Sequence, residues 1–150
     1  MLSIFAIACL LALLTVWMHA AGLALLLRYW TRVHSHPPTT SFAITRSLLH
    51  VIGWLILLHL GEITVWGLFY LWRGCFPDVE SAFYFSGVTY TTIGYGDLLL
   101  AKPWRLLAPL EGLVGILMCS LSTGYFFVVV NRILQRDQQT VSAASGRKEN

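Results

Sequence analysis

In a chain of 150 residues, 57% are hydrophobic, only 11% are charged, and the formal net charge is +3. So apolar a composition excludes an ordinary soluble domain. The modest positive excess sits in segments flanking the apolar blocks and gives no reason to expect a nucleic-acid partner.

Residues 2–27 form the first apolar block, with Ser3, Thr15 and His19 as its hydrogen-bonding side chains. Such a run exceeds the roughly 20 residues a helix needs to cross the hydrocarbon core. No basic residue precedes it, and it is longer than the apolar region of a signal peptide, so residues 1–30 are predicted to be a retained membrane helix. Trp17 and His19 can face either lipid or the rest of the chain. Residues 31–47 read as a connector. Arg28, Arg32 and Arg46 lie in or beside it without any acidic residue, and His34-Ser35-His36-Pro37-Pro38 predicts a kink. His19, His34, His36 and His50 show no metal-ligand spacing.

The second block, 48–72, is interrupted by His50, His59, Glu62 and Thr64. Residues 81–90 are rich in aromatics, but at roughly ten residues they are too short to span. Pro77 stiffens the entry, Asp78 can cap free N–H groups, and Glu80 suits the positive end of a helix dipole. A short helix running straight into 91–97 describes a re-entrant loop, in which a half-helix enters the membrane and an extended strand returns. Gly94 and Gly96, at alternate positions of that strand, reach the positive φ values that let successive carbonyls face one side.

The third block, 106–130, is interrupted by Glu111, Ser120, Ser122 and Thr123. Pro109 predicts a kink near its start. Residues 135–150 are a short tail, polar from Gln138 onward and expected to be unstructured.

The run Thr92-Ile93-Gly94-Tyr95-Gly96-Asp97, preceded by Thr91, resembles the selectivity-filter signature of the potassium-channel family. The order helix, half-helix, filter, helix over 48–134 is similar to that family's pore module, and the helix at 1–30 lies outside it. The resemblance implies an all-α membrane protein with three transmembrane helices, a re-entrant pore helix and a filter loop, assembled as a homotetramer among membrane lipids. It implies K+ ions held by Thr92, Ile93, Gly94 and Tyr95, with Gly96 completing the filter and no organic cofactor or soluble partner. Thr91, Asp97, Tyr84 and Val88 are then filter-supporting positions, and the Tyr95 ring packs against pore-helix aromatics. Two departures stand out. Tyr84 and Phe85 occupy the place of a common tryptophan pair, leaving only Tyr84 to reach Asp97; Val88 stands where some bacterial channels carry a glutamate. Gly115, with Gly112 one turn earlier, falls near the family's hinge glycine, although small residues equally allow close helix packing. Ile116, Cys119 and Thr123 would face the cavity below the filter.

If the filter's Asp97 end faces outward, the arginine-rich connector and the tail bearing Arg132, Arg136, Arg147 and Lys148 are cytoplasmic. The N-terminus is then outside, and a bacterial inner membrane suits so compact a chain. Glu62 and Glu111 fall at membrane depth, where a carboxyl is costly and a functional candidate. With His59 they read either as a proton-sensitive cluster or as braces to the pore helix through Thr89 or Tyr90. Cys9, Cys75 and Cys119 are odd in number and at different depths, so free thiols are expected, with Cys75 able to pair only between subunits. No helix carries arginines at every third position, as a voltage sensor would. No nucleophile–base constellation, metal motif or cofactor loop points to an enzyme. The other readings are a non-conducting accessory or sensor subunit with a channel-like fold and a potassium-transporter subunit, though such transporters usually hold several pore loops.

Overall fold

The computed structural model describes residues 2–33 and 40–146. Its elements are α1 (Leu2–Val33), α2 (Ser41–Trp72), α3 (Val79–Tyr90), a single 3-10 turn (Lys102–Trp104) and α4 (Leu107–Gly146). Three segments, Ser3–Trp30, Ser41–Trp72 and Lys102–Gln135, are long and apolar enough to cross a membrane. The 32 residues of α1 and of α2 each outreach a hydrocarbon core of about 30 Å.

The helices are longer than their apolar cores. Helix α1 continues past Arg28 to Val33, and α2 starts at Ser41, seven residues before the apolar block. The expected connector of 31–47 therefore shrinks, and its His34-to-Pro38 segment lies outside the described residues. The reason is cooperativity: once a helix exists, each added residue gains a backbone hydrogen bond with no new nucleation cost. Helix α4 likewise runs to Gly146, so 138–146 are helical where polar composition predicts an unstructured tail. Arg147 and Lys148 lie outside the described residues.

Pro109 does not kink α4. It stands in the first turn, where N–H groups have no intrahelical acceptor, so the missing donor costs nothing. Helix α2 ends in a Schellman arrangement. Gly74, at φ 62, donates to the Leu71 carbonyl and Cys75 to that of Tyr70. Asp78 caps α3 as expected. Its Oδ1 accepts from the Ser81 N–H at 2.7 Å and its Oδ2 from the Ser81 hydroxyl at 2.9 Å. Those bonds hold the Asp78 carboxyl below the usual aspartate range. Its support of α3 is therefore present above the ordinary aspartate pKa and is lost as pH falls through the lowered value.

An aromatic cluster binds together the end of the fold that carries α3. Tyr70 meets Phe85 edge-on at 5.3 Å and Phe76 at 6.2 Å, with Trp66, Phe69 and Leu107 buried around them. Phe85 thus anchors α3 by packing rather than by a hydrogen bond. A second cluster of Leu26, Trp30, Val51, Leu55, Val129 and Ile133 joins α1, α2 and α4 at the other end. Helix α1 is therefore part of the same body, and Trp17 on its other face is exposed. Cys9, Cys75 and Cys119 are free thiols in the chain.

Candidate functional site

Helix α3 ends at Tyr90, and the chain turns sharply into 91–97. The Thr91 N–H bonds to the Gly87 carbonyl, that of Thr92 to Thr89, and that of Gly94 to Val88 at 3.0 Å. Val88 therefore supports the strand through its backbone carbonyl. Positive φ recurs at alternate residues: 62° at Thr92, 52° at Gly94 and 78° at Gly96. The glycines adopt this conformation freely. Thr92 is β-branched, and in such a residue it is an outlier costing about 1–3 kcal/mol, sustained by the flanking bonds. Sequence reading found the two glycines but not the threonine that begins the alternation.

The Asp97 end of the strand is pinned by the Tyr84 hydroxyl, which donates to Asp97 Oδ2 at 2.8 Å. That bond also raises the Tyr84 phenol above its ordinary pKa, since ionising it would remove the donor beside a carboxylate. The strand itself is bare within one chain, with Ile93 54% and Tyr95 71% exposed. Within a single chain the Tyr95 ring is thus not seated among the pore-helix aromatics. Below the strand, Thr91 and Thr92 share a concavity with Gly115, Ile116, Cys119, Ser120 and Thr123. The hydroxyls of Thr91, Ser120 and Thr123 each donate to the carbonyl four residues back, which leaves their oxygens free to accept or to meet a cation.

Behind the strand the two intramembrane carboxyls take separate partners. Glu111 Oε2 accepts from Tyr70 and its Oε1 lies 2.6 Å from the Ser86 hydroxyl, which is also 2.9 Å from the Ile63 carbonyl. Ser86 has one hydrogen for two acceptors, so the set is complete when Glu111 itself carries a proton. Glu111→Gln reproduces that donor-and-acceptor pattern and is expected to unfold near the wild-type temperature in detergent. Glu111→Ala strands the buried Tyr70 hydroxyl, at about 1–3 kcal/mol, leaves Ser86 with the Ile63 carbonyl alone, and lowers that temperature clearly.

Glu62, fully buried, receives the Tyr90 hydroxyl on Oε2 and His19 Nδ1 on Oε1 at 2.8 Å. His59 Nδ1 lies 2.9 Å from the Tyr90 oxygen and its Nε2 3.0 Å from Ser122 Oγ. Ser122 in turn meets His19 Nε2 at 3.3 Å. Both carboxyls therefore brace α3, one through Tyr90 and the other through Ser86; Thr89 is not the contact. Glu111 shares no hydrogen-bond partner with Glu62 and His59.

His19 and Ser122 were missed by sequence reading. Spacing within the chain gave no reason to join His19 to His59 and Glu62, yet one atom of each falls within 4.8 Å of the others. A signal existed. Thr15 and His19 are four residues apart on α1, and Glu62 and Trp66 four apart on α2. Antiparallel packing matches the pairs, Trp66 donating to Thr15 at 3.1 Å as His19 meets Glu62.

A family model described as "Ion channel" matches residues 54–132, more than half of the chain, from within α2 through α3 and the strand into α4. No curated protein and no solved structure matches the chain.

Proposed function

The chain belongs to the ion-channel family, and on that footing we propose that it is a potassium-selective channel whose four copies gather residues 91–97 around one axis. The observation that carries this reading is the alternation of positive φ at Thr92, Gly94 and Gly96. Alternating the hand of the backbone turns successive carbonyls to the same side, so that stacked oxygens of Thr92, Ile93, Gly94 and Tyr95 replace the water around a potassium ion.

The bare strand supports assembly. Backbone without regular hydrogen bonding is tolerated at membrane depth only where protein buries it or water lines it. In a tetramer the outer faces of Ile93 and Tyr95 meet neighbouring chains and the carbonyl face meets ions. Thr123, Ile116 and Cys119 then line the cavity that feeds the filter, with the C-terminal end of α3 directing its negative dipole at the cation. The arginines near the α1–α2 connector and along the last part of α4 support a cytoplasmic side for those ends, with the N-terminus outside.

Flux from liposomes holding the purified full chain, under opposed potassium and sodium gradients, tests this. Potassium-selective, barium-blocked flux is expected. Equal passage of sodium would leave an ion channel without the proposed selectivity, and silence from a folded tetramer would favour an accessory subunit.

A further inference from the structure

Five hydrogen bonds close a loop through Glu62, His19, Ser122, His59 and Tyr90, and all four helices contribute to it. Each bond consumes one hydrogen. The hydroxyls of Tyr90 and Ser122 supply one apiece, each neutral imidazole supplies one, and a carboxylate supplies none. Four hydrogens are thus available for five bonds.

From this mismatch we propose that the loop is a proton-binding site, complete only when it takes up one further proton shared between His19 and Glu62. In the loaded form Tyr90 donates to Glu62 Oε2 and His59 Nδ1 donates to the Tyr90 oxygen. Ser122 donates to His59 Nε2. Both nitrogens of His19 donate, Nε2 to Ser122 and Nδ1 to Glu62 Oε1. An imidazolium then faces a carboxylate at 2.8 Å, and the site is neutral as a whole. When the proton leaves to water, a net negative charge stays in a place shielded from solvent. His59, whose side chain is 19% exposed, is the wettest way out. Ser122, with a single hydrogen, now faces two imidazole nitrogens that both need a donor. The longest link, Ser122 to His19 at 3.3 Å, is the one that opens, and it is the link tying α4 to α1.

Tyr90 and Ser122 keep their hydroxyl hydrogens throughout. The titratable groups presented to the site are His19 from α1, Glu62 and His59 from α2, and Tyr90 from α3. From α4, Glu111 and Cys119 lie near enough to influence Tyr90 without joining the loop. His19, His59 and Glu62 are also close enough together to suggest a cation site. Every one of their ring nitrogens and carboxylate oxygens is already engaged in the loop, however, so the proton is the occupant.

Tyr90 is the last residue of α3, directly before the strand, so the loop connects α1 to the candidate filter. That consequence for conduction rests on the reading of 91–97 given above; the proton count does not. Glu62→Gln separates the two. A glutamine offers a carbonyl and an NH2, one N–H of which supplies the fifth hydrogen, so the loop closes with both imidazoles neutral. The test is nitrogen-15 magnetic resonance of histidine-labelled full chain in lipid between about pH 5 and 9, with His19 and His59 assigned by loss of signal in His19→Gln and His59→Gln. In the wild type, His19 is expected to be doubly protonated at the acid end and to lose one proton as pH rises. In Glu62→Gln both rings are expected to stay neutral, and any pH dependence of potassium flux is expected to vanish. A wild-type His19 that is neutral throughout, a Glu62→Gln His19 that still titrates, or ring signals that respond to added zinc but not to pH would each overturn the proposal. The expected titration in a protein that passes no potassium would leave the proton site standing and remove the channel reading.

Discussion

Gly94→Ala is expected to abolish potassium flux while Gly74→Ala leaves it intact. The two glycines are matched in backbone: φ is 52° at Gly94 and 62° at Gly74, and an added Cβ at either meets nothing within 4 Å inside the chain. Alanine in this left-handed region costs about 1–2 kcal/mol at either position. The difference lies in what the conformation is for. At Gly74 it closes a helix end that the Leu71 and Tyr70 carbonyls also hold, so the cost is absorbed as a small loss of stability. At Gly94 it sets the direction of a carbonyl proposed to coordinate the ion, and in the proposed tetramer four chains bear the penalty together. A modest bias toward negative φ rotates that oxygen away from the axis and breaks the stack of sites. Flux through liposomes, read beside the thermal unfolding of both variants, checks the comparison. Equal unfolding temperatures with unequal flux are expected; surviving flux in Gly94→Ala would take the strand out of the conduction path.

What the sequence revealed of this molecule follows the range of the forces involved. The membrane helices were legible because hydrophobic length is a local property, and Asp78 was legible because a cap acts over three residues. The motif 91–97 was legible through its resemblance, including the Tyr84 to Asp97 tie across thirteen residues. Helix ends were not, since polar turns such as 41–47 continue a helix whose stability is set elsewhere. Pro109 was misread because an apolar block does not mark where its first hydrogen-bonded turn begins. His19 was hidden for a different reason. Its partner is forty-three residues away, and only the register of α1 on α2 decides whether it faces lipid or Glu62. The depth of Glu62 and Glu111 could be read from position in the chain. Their partners required the packing.

Gly115→Ala is expected to prevent the protein from reaching its native assembly, whereas Gly112→Ala and Gly124→Ala are tolerated. A Cβ at Gly115 would collide with the Tyr90 carbonyl oxygen and stand 2.9 Å from its carbon. Both are backbone atoms at the end of α3, so no rotamer change relieves the contact, and either α4 or α3 must move away. Tyr90 resists that movement, because its hydroxyl is held by Glu62 and His59 and its main chain leads directly into the strand. Overpacking in a fixed core costs about 1–3 kcal/mol, and in the proposed tetramer it falls in every copy. At Gly112 the same atom would lie 3.4 Å from the Thr89 carbonyl, an ordinary contact, and at Gly124 it meets nothing within 4 Å. Alanine there even gains about 1 kcal/mol of helix propensity. These three substitutions separate the two roles a glycine can play in α4. If Gly115 served as a hinge, alanine would leave a folded, assembled protein with altered opening. If it is the point where α4 touches α3, the variant is lost at the level of thermal stability and of any detergent-resistant oligomer, before gating can be measured. The collision an added Cβ would meet at the Tyr90 carbonyl favours contact, and native gel mobility together with unfolding temperature decides it.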